Sequence, residues 1–231
     1  MAALSPPPPS RAAGRAVRDA LAGHLAFAVV AAVGLAVPVG DLGWRLLAIV
    51  AVYNVALPLV GTWRGHTDWV RLWAFLVPLS VFQVVPDAFL ASVLGSLDFA
   101  DTGGPRLWDV PLAMAGMWTV ALWPALYAAD RLARGSFGWG AGWAAILVGG
   151  VLVAAEATLW AVPIWRAVAV ATVGPVAAYV ILPEILLGAV AYFGYRSTLR
   201  KGLATRLAAA ALVALTYLGA LATAYLLIEG G

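Results

Sequence analysis

Cysteine is absent from this chain of 231 residues, and lysine occurs once, as Lys201. Without cysteine there are no disulfides, no thiolate catalysis and no cysteine-bound metal. The compartment stays open. Charge is scarce as well: Asp, Glu, Lys and Arg make up 11% of the residues, against about 25% in an ordinary soluble domain. So few charges cannot coat a water-exposed surface, which excludes a soluble globule. The net charge of +3 is small and its bases are dispersed along the chain, so no nucleic acid is expected as a partner. No pair of His or carboxylate residues has metal-ligand spacing of the HExxH kind. Neither a metal nor a cofactor is expected.

What is present is hydrophobic length, with 64% of the residues apolar. A spanning helix needs about 20 mostly apolar residues, each rising about 1.5 Å across a core of about 30 Å. Seven runs meet this: residues 20–40, 46–62, 72–97, 110–128, 140–162, 168–194 and 207–228. They are apolar all round, whereas barrel strands alternate. The expected fold is therefore all-α, a polytopic membrane bundle of seven transmembrane helices. Residues 1–19, with four prolines between Ser5 and Ser10 and then Arg11, Arg15 and Arg18, read as a disordered basic cytoplasmic arm. Residues 20–231 read as a single domain. The first run is longer than the roughly 7 to 15 residues of a signal-peptide core and leads directly into a second run, so it is not read as a cleaved signal.

Orientation follows from the bases. The arm, the loop with Arg64 and Arg71, the loop with Arg131 and Arg134, and the loop with Arg196, Arg200, Lys201 and Arg206 put eleven on one face. Arg45, Arg106 and Arg166 are the three opposite. That asymmetry predicts a cytoplasmic amino terminus and an external carboxyl terminus. Nine tryptophans, at 44, 63, 69, 73, 108, 139, 143, 160 and 165, fall near predicted span ends and read as an interfacial belt. Trp118 and Trp123 lie deeper and are candidates for a pocket wall.

Acids inside a span are costly and mark function by default. Asp87, Glu156 and Glu184 are such acids, and no base lies deep in a span to pair with them. Desolvation then favours a neutral, hydrogen-bonding carboxyl. Asp87 follows Pro78 and Pro86, and Glu184 follows Pro175 and Pro183, two patterns that superimpose at an offset of 97. Pro86 and Pro183 have no N–H for the carbonyls of Phe82 and Tyr179, so each acid is expected beside a freed carbonyl at a kink. Spans three and six run in opposite directions, which makes the match a candidate inverted repeat.

Other features rank lower. His24, Asn54 and Gln83 can join the acids in a polar network or simply bond helix to helix. His66 beside Asp68 is expected to face solvent. Asp98, Asp101, Gly103, Gly104, Pro105, Arg106 and Asp109 form the most acidic loop and read as a solvated turn. Gly138, Gly140 and Gly142, with Ala211, Ala214 and Ala222, read as helix-packing positions.

The stretch from Trp73 to Leu97, the acidic Gly-Pro turn after it, and Val110 to Trp118 together resemble a family of uncharacterised prokaryotic seven-helix membrane proteins. Val110, Pro111 and Leu112, with Trp118 seven residues after the proline, are also distantly similar to membrane-embedded carotenoid hydratases. That likeness implies an isoprenoid substrate and carries over no catalytic residue. Rhodopsins are excluded because their Schiff-base lysine would have to stand in the last span. Fungal-type membrane terpene cyclases keep an acid in their last span, and residues 207–228 have none.

Three functions remain. The first is an acid-catalysed enzyme acting on an isoprenoid or other lipid. Asp87 or Glu184 would donate the proton, and Trp118, Trp123, Phe82, Tyr179, Gln83, Asn54 and Glu156 would line the substrate site. The second is a proton- or cation-coupled transporter of small molecules, and the third a non-catalytic membrane component. The expected partner is a membrane lipid or hydrophobic small molecule.

Overall fold

A computed structural model describes residues 11–158, 162 and 164–230. The proline run of the arm, Trp160 and Gly231 lie outside the described residues. Seven long helices are described: α1 Arg11–Ala36, α2 Leu42–Trp63, α3 Thr67–Val93, α4 Met114–Leu132, α5 Phe137–Ala157, α6 Ala178–Thr198 and α7 Leu203–Glu229. All but α4 are long and apolar enough to cross a membrane. α4 carries Asp130 and Arg131 in its last turn together with two tryptophans and a proline, which lowers its hydropathy. Its environment compensates, because Trp118, Leu122, Trp123, Leu126 and Ala129 are buried against neighbouring helices rather than facing lipid.

Several boundaries differ from expectation. Residues 11–19 are the first turns of α1 and not a disordered arm. Run 168–194 is helical only from Ala178. Its first part is rich in valine, which favours extended chain, and Gly174 at φ +62° followed by Pro175 makes a tight hairpin turn. Strands β5 Thr172–Val173 and β6 Val176–Ala177 result. Run 72–97 leaves the helix after Val93 and turns at Gly95, φ +63°.

α3 is broken once and bulged once. The α-helical pattern stops at Gln83, where Pro86 has no N–H for the Phe82 carbonyl. An interruption is thus found where the proline was expected to disturb the helix. A π-helical turn follows over Phe89–Val93, closed by the Leu94 N–H on the Phe89 carbonyl five residues back at 3.0 Å. Pro183 sits inside α6, but Pro175 lies in the hairpin turn. The offset of 97 is therefore not a repeat of two like helices.

A different repeat is visible. Strands β1 Leu97–Phe99, β2 Arg106–Leu107 and β3 Val110–Pro111 precede the hairpin α4–α5. Strand β4 Trp165–Ala167 and the pair β5–β6 precede the hairpin α6–α7. β1 pairs antiparallel with β4 in the register Leu97↔Ala167, Asp98↔Arg166, Phe99↔Trp165, a local two-fold through the central pair. Both helix hairpins start from this ribbon, so the units are parallel rather than inverted. An acid-bearing helix precedes each, with Asp87 before β1 and Glu156 before β4.

Helices α3, α4, α5, α6 and α7 close into a ring, α2 packs outside α3 and α4, and α1 leans on α2. Hydrocarbon supplies no force pushing apolar helices together, so close approach matters most. The α5–α6 contact uses Gly140, Ala144 and Gly149 on one side and Gly188 on the other. Gly138 and Gly142, expected at helix contacts, face open space instead.

The helices alternate between two ends. At one, Asp19 pairs with Arg64 at 2.9 Å and His66 at 2.8 Å, Arg131 pairs with Asp68, and Arg196 with Asp130 at 2.9 Å. His66 is thus buried in an ion cluster rather than facing solvent. At the other, Arg45 donates to the Leu35 carbonyl at 2.8 Å, Gly43 N–H to Thr102 at 2.7 Å, and Ala171 N–H to Glu229 at 3.0 Å. Arg45, Arg106 and Arg166 all stand at this second end, with the ribbon.

A Cβ on Gly188 would stand 2.3 Å from the Ala144 carbonyl oxygen. Gly188→Val is expected to lower stability by about 1 to 3 kcal/mol, the usual cost of overpacking. Gly142→Val should change little. Thermal unfolding of the two detergent-purified variants checks the contrast.

Candidate functional site

The three span acids meet. Asp87 from α3, Glu156 from α5 and Glu184 from α6 line one cavity of about 110 Å³ inside the ring. Asp87 is 4% exposed and Glu184 5%, whereas Glu156 is half-buried. Leu97 and Phe99 of β1 and Trp165 and Ala167 of β4 form its wall on the ribbon side. The same β1–β4 pairing that joins the two units therefore also bounds the cavity.

Each carboxyl has its own surroundings. Trp118 Nε1 donates to Asp87 Oδ2 at 3.1 Å. Glu156 shares the cavity wall with Trp165 and Ala177. Glu184 Oε2 is buried with no hydrogen-bond partner. Among the described residues no Arg, Lys or His lines the cavity, so none of them compensates these acids. An uncompensated carboxylate in such a place is costly, and the neutral acid is the form that burial tolerates.

Aromatic groups complete the wall. Trp118 and Tyr217 meet edge to face with ring centres 5.8 Å apart. The Tyr179 hydroxyl is 2.8 Å from Ser96 Oγ, and its ring meets Tyr225 edge-on at 5.3 Å. Met114, Met117, Leu152 and Val180 add aliphatic surface. The cavity is thus an apolar and aromatic chamber with carboxyl groups on three helices.

Of the residues expected at a site, Asp87, Glu156, Glu184, Trp118 and Tyr179 are brought together. The others are not. Trp123 lies toward the opposite end, stacked between His24 at 5.1 Å and Tyr127 at 4.8 Å. Asn54 donates to the carbonyls of Val50 at 2.9 Å and Gly116 at 3.1 Å, tying α2 to α4. Phe82 is half-buried on α3 outside the cavity, and Gln83 is fully buried outside it. Trp69, expected in the interfacial belt, is buried against Trp123. Tyr217 was missed, although a tyrosine in the middle of an aliphatic run is a legible polar signal. Ser96 and Trp165 come from connecting segments, whose positions depend on the ribbon pairing.

The model of one protein family, described as a domain of unknown function (DUF6989), matches residues 84–228. The chain belongs to that family. The family region runs from the broken turn of α3 through α7 and includes every cavity-lining residue. α1 and α2 precede it. No curated protein and no solved structure matches the chain, and the likeness to carotenoid hydratases rests on Val110 to Trp118 alone.

Two substitutions should move stability in opposite directions. Glu184→Met removes a buried oxygen that has no partner and should raise stability, whereas Trp118→Phe strips Asp87 Oδ2 of its donor and should lower it. Each change is worth about 1 to 3 kcal/mol. Melting temperatures of the two purified variants against the parent chain test this.

Proposed function

We propose that the cavity is the site of an acid-catalysed reaction on an alkene of an isoprenoid or other membrane lipid, with Asp87 or Glu184 as proton donor. One observation carries this reading: carboxyl groups from three helices converge, with no cation among the described lining residues, on a chamber that is mostly aromatic and aliphatic. In the reaction the carboxyl O–H bond breaks and its proton bonds to one alkene carbon, leaving positive charge on the other. The faces of Trp118, Tyr179 and Tyr217 stabilise that charge by about 2 kcal/mol in a dry site. Loss of a proton from a neighbouring carbon to a carboxylate restores the acid set. The sequence needs no co-reactant and yields an isomer or a ring.

Cavity size narrows the substrate. An engineered apolar cavity of about 150 Å³ holds one benzene, so a chamber of about 110 Å³ takes about one branched five-carbon unit. A longer isoprenoid would insert its reacting end. Proton- or cation-coupled transport is the second reading, favoured by the two parallel units that flank the cavity. A non-catalytic role for the acids as helix-bonding groups is the third.

The proposal includes the membrane frame: seven crossings of the prokaryotic cytoplasmic membrane, amino terminus inside, with α4 crossing inside a jacket of other helices. Eleven of fourteen bases on one side support it. Reporter fusions at residues 135 and 231 should sit on opposite sides. Reports from the same side would overturn the frame.

Asp87→Asn and Glu184→Gln keep the shape of a neutral acid but cannot release a proton. Mass spectrometry of lipid extracts from cells with the parent gene, each variant and no gene should show a product that the variants lose at normal membrane levels. A transporter would instead lose pH-driven uptake with lipid extracts unchanged. Full activity in both variants would leave the acids as structural groups.

A further inference from the structure

Along one face of α3, buried polar side-chain atoms without partners form a line. Trp69 Nε1, Trp73 Nε1, Ser80 Oγ and both amide atoms of Gln83 have none. Ser80 and Gln83 are 0% exposed. With Asp87 these residues follow the alternating three- and four-residue steps that keep one helix face inward. The step between Trp73 and Ser80 falls at Leu76, whose carbonyl accepts from the hydroxyl of Thr119, itself fully buried, at 3.5 Å. The line thus runs from the ion cluster of Asp19 and His66, where the Trp69 ring packs on His66 at 4.7 Å, to the carboxyl that Trp118 holds in the cavity.

Leaving a buried amide wholly unbonded is expensive, and such groups in proteins are normally met by internal water. Apolar residues would fill the same stripe at no such cost, so unpartnered polar side chains recurring on the helix face that carries Asp87 call for a ligand. We infer that the inner face of α3 binds a file of water molecules that carries protons between the cytoplasmic end and Asp87, with Ser80 and Gln83 as its positioning residues. Gln83 offers both a donor and an acceptor, and Ser80 a hydroxyl that can do either, so each can hold a water in relay orientation. The tryptophan N–H groups donate only and anchor the waters nearest the cytoplasmic end. This inference rests on Asp87 being a proton-exchanging acid, and it names the path by which that acid exchanges its proton with the cytoplasmic end.

The test reads proton exchange and needs no substrate. Infrared spectroscopy of the purified full chain in lipid nanodiscs follows the protonated carboxyl stretch after transfer to heavy water, and Asp87→Asn identifies the Asp87 band by its loss. Gln83→Leu and Ser80→Ala should keep that band but slow its exchange by about tenfold or more, as expected when about 1.4 kcal/mol of bonding to the relay is lost. Ser80→Ala removes a single oxygen and keeps the test open where Gln83→Leu fails to fold. Unchanged exchange in the folded variants would overturn the inference, as would the absence of an Asp87 band in the parent chain. Failure of the enzymatic reading shows itself separately, as lipid extracts that are the same with and without the gene while the two variants still exchange slowly.

Discussion

Three carboxyl groups with no cation among the described cavity residues are kept from hydrocarbon by a wall of protein that buries Asp87 and Glu184 and half-buries Glu156. The ring from α3 to α7 is that wall, and the cost of exposing an acid to lipid explains much of what lies around it. α5 and α6 approach through glycine and alanine because a wall without gaps needs backbones in contact. α4, the least apolar of the long helices, is enclosed where its tryptophans turn inward. The β1–β4 ribbon bounds the chamber on the side where the helices end.

The same constraint separates the two ends of the bundle. At one end charges are paired across helices in Asp19–Arg64, Asp68–Arg131 and Asp130–Arg196. These pairs are half-exposed, where each is worth little alone. They cross between helices that differ in sequence position by a whole hairpin, so they set register more than stability. In the cavity, by contrast, acids stand without bases. A structure built for stability alone would pair or replace them, and their survival as unpaired groups is the physical ground for reading the chamber as functional. α1 presents a different case: only Ala16 and Ala20 on it are buried among the described residues, and His24 anchors it through the Tyr53 hydroxyl at 2.9 Å.

Asp87, Glu156 and Glu184 were legible as exceptions to hydrophobicity, because a charge-capable group in an apolar run is conspicuous without any coordinates. The interruption of α3 before Pro86 was legible too, since a missing N–H acts locally. The pairing of Asp87 with Glu184 as halves of an inverted repeat was not sound, because Pro175 belongs to a hairpin turn and a shared proline spacing says nothing about the fold around it. Trp69 and His66 misled for a common reason. Both lie near the end of an apolar run, where side chains usually meet headgroups or water, yet here they are covered by α4 and by Asp19 on α1. Asn54 looked like a site residue and proved to be a tie between α2 and α4.

By itself the sequence determined the all-helical membrane class, the number of long helices, their alternation and the presence of unpaired acids. All of these follow from hydropathy and from the cost of charge in hydrocarbon, properties that each segment carries alone. Tertiary structure decided which acids share a chamber, that Tyr217 and Ser96 join it while Trp123 does not, and that two parallel units meet at the Asp98–Arg166 pair. Those relations join residues on separate helices and connecting segments, and only the packing of helix on helix brings them within reach.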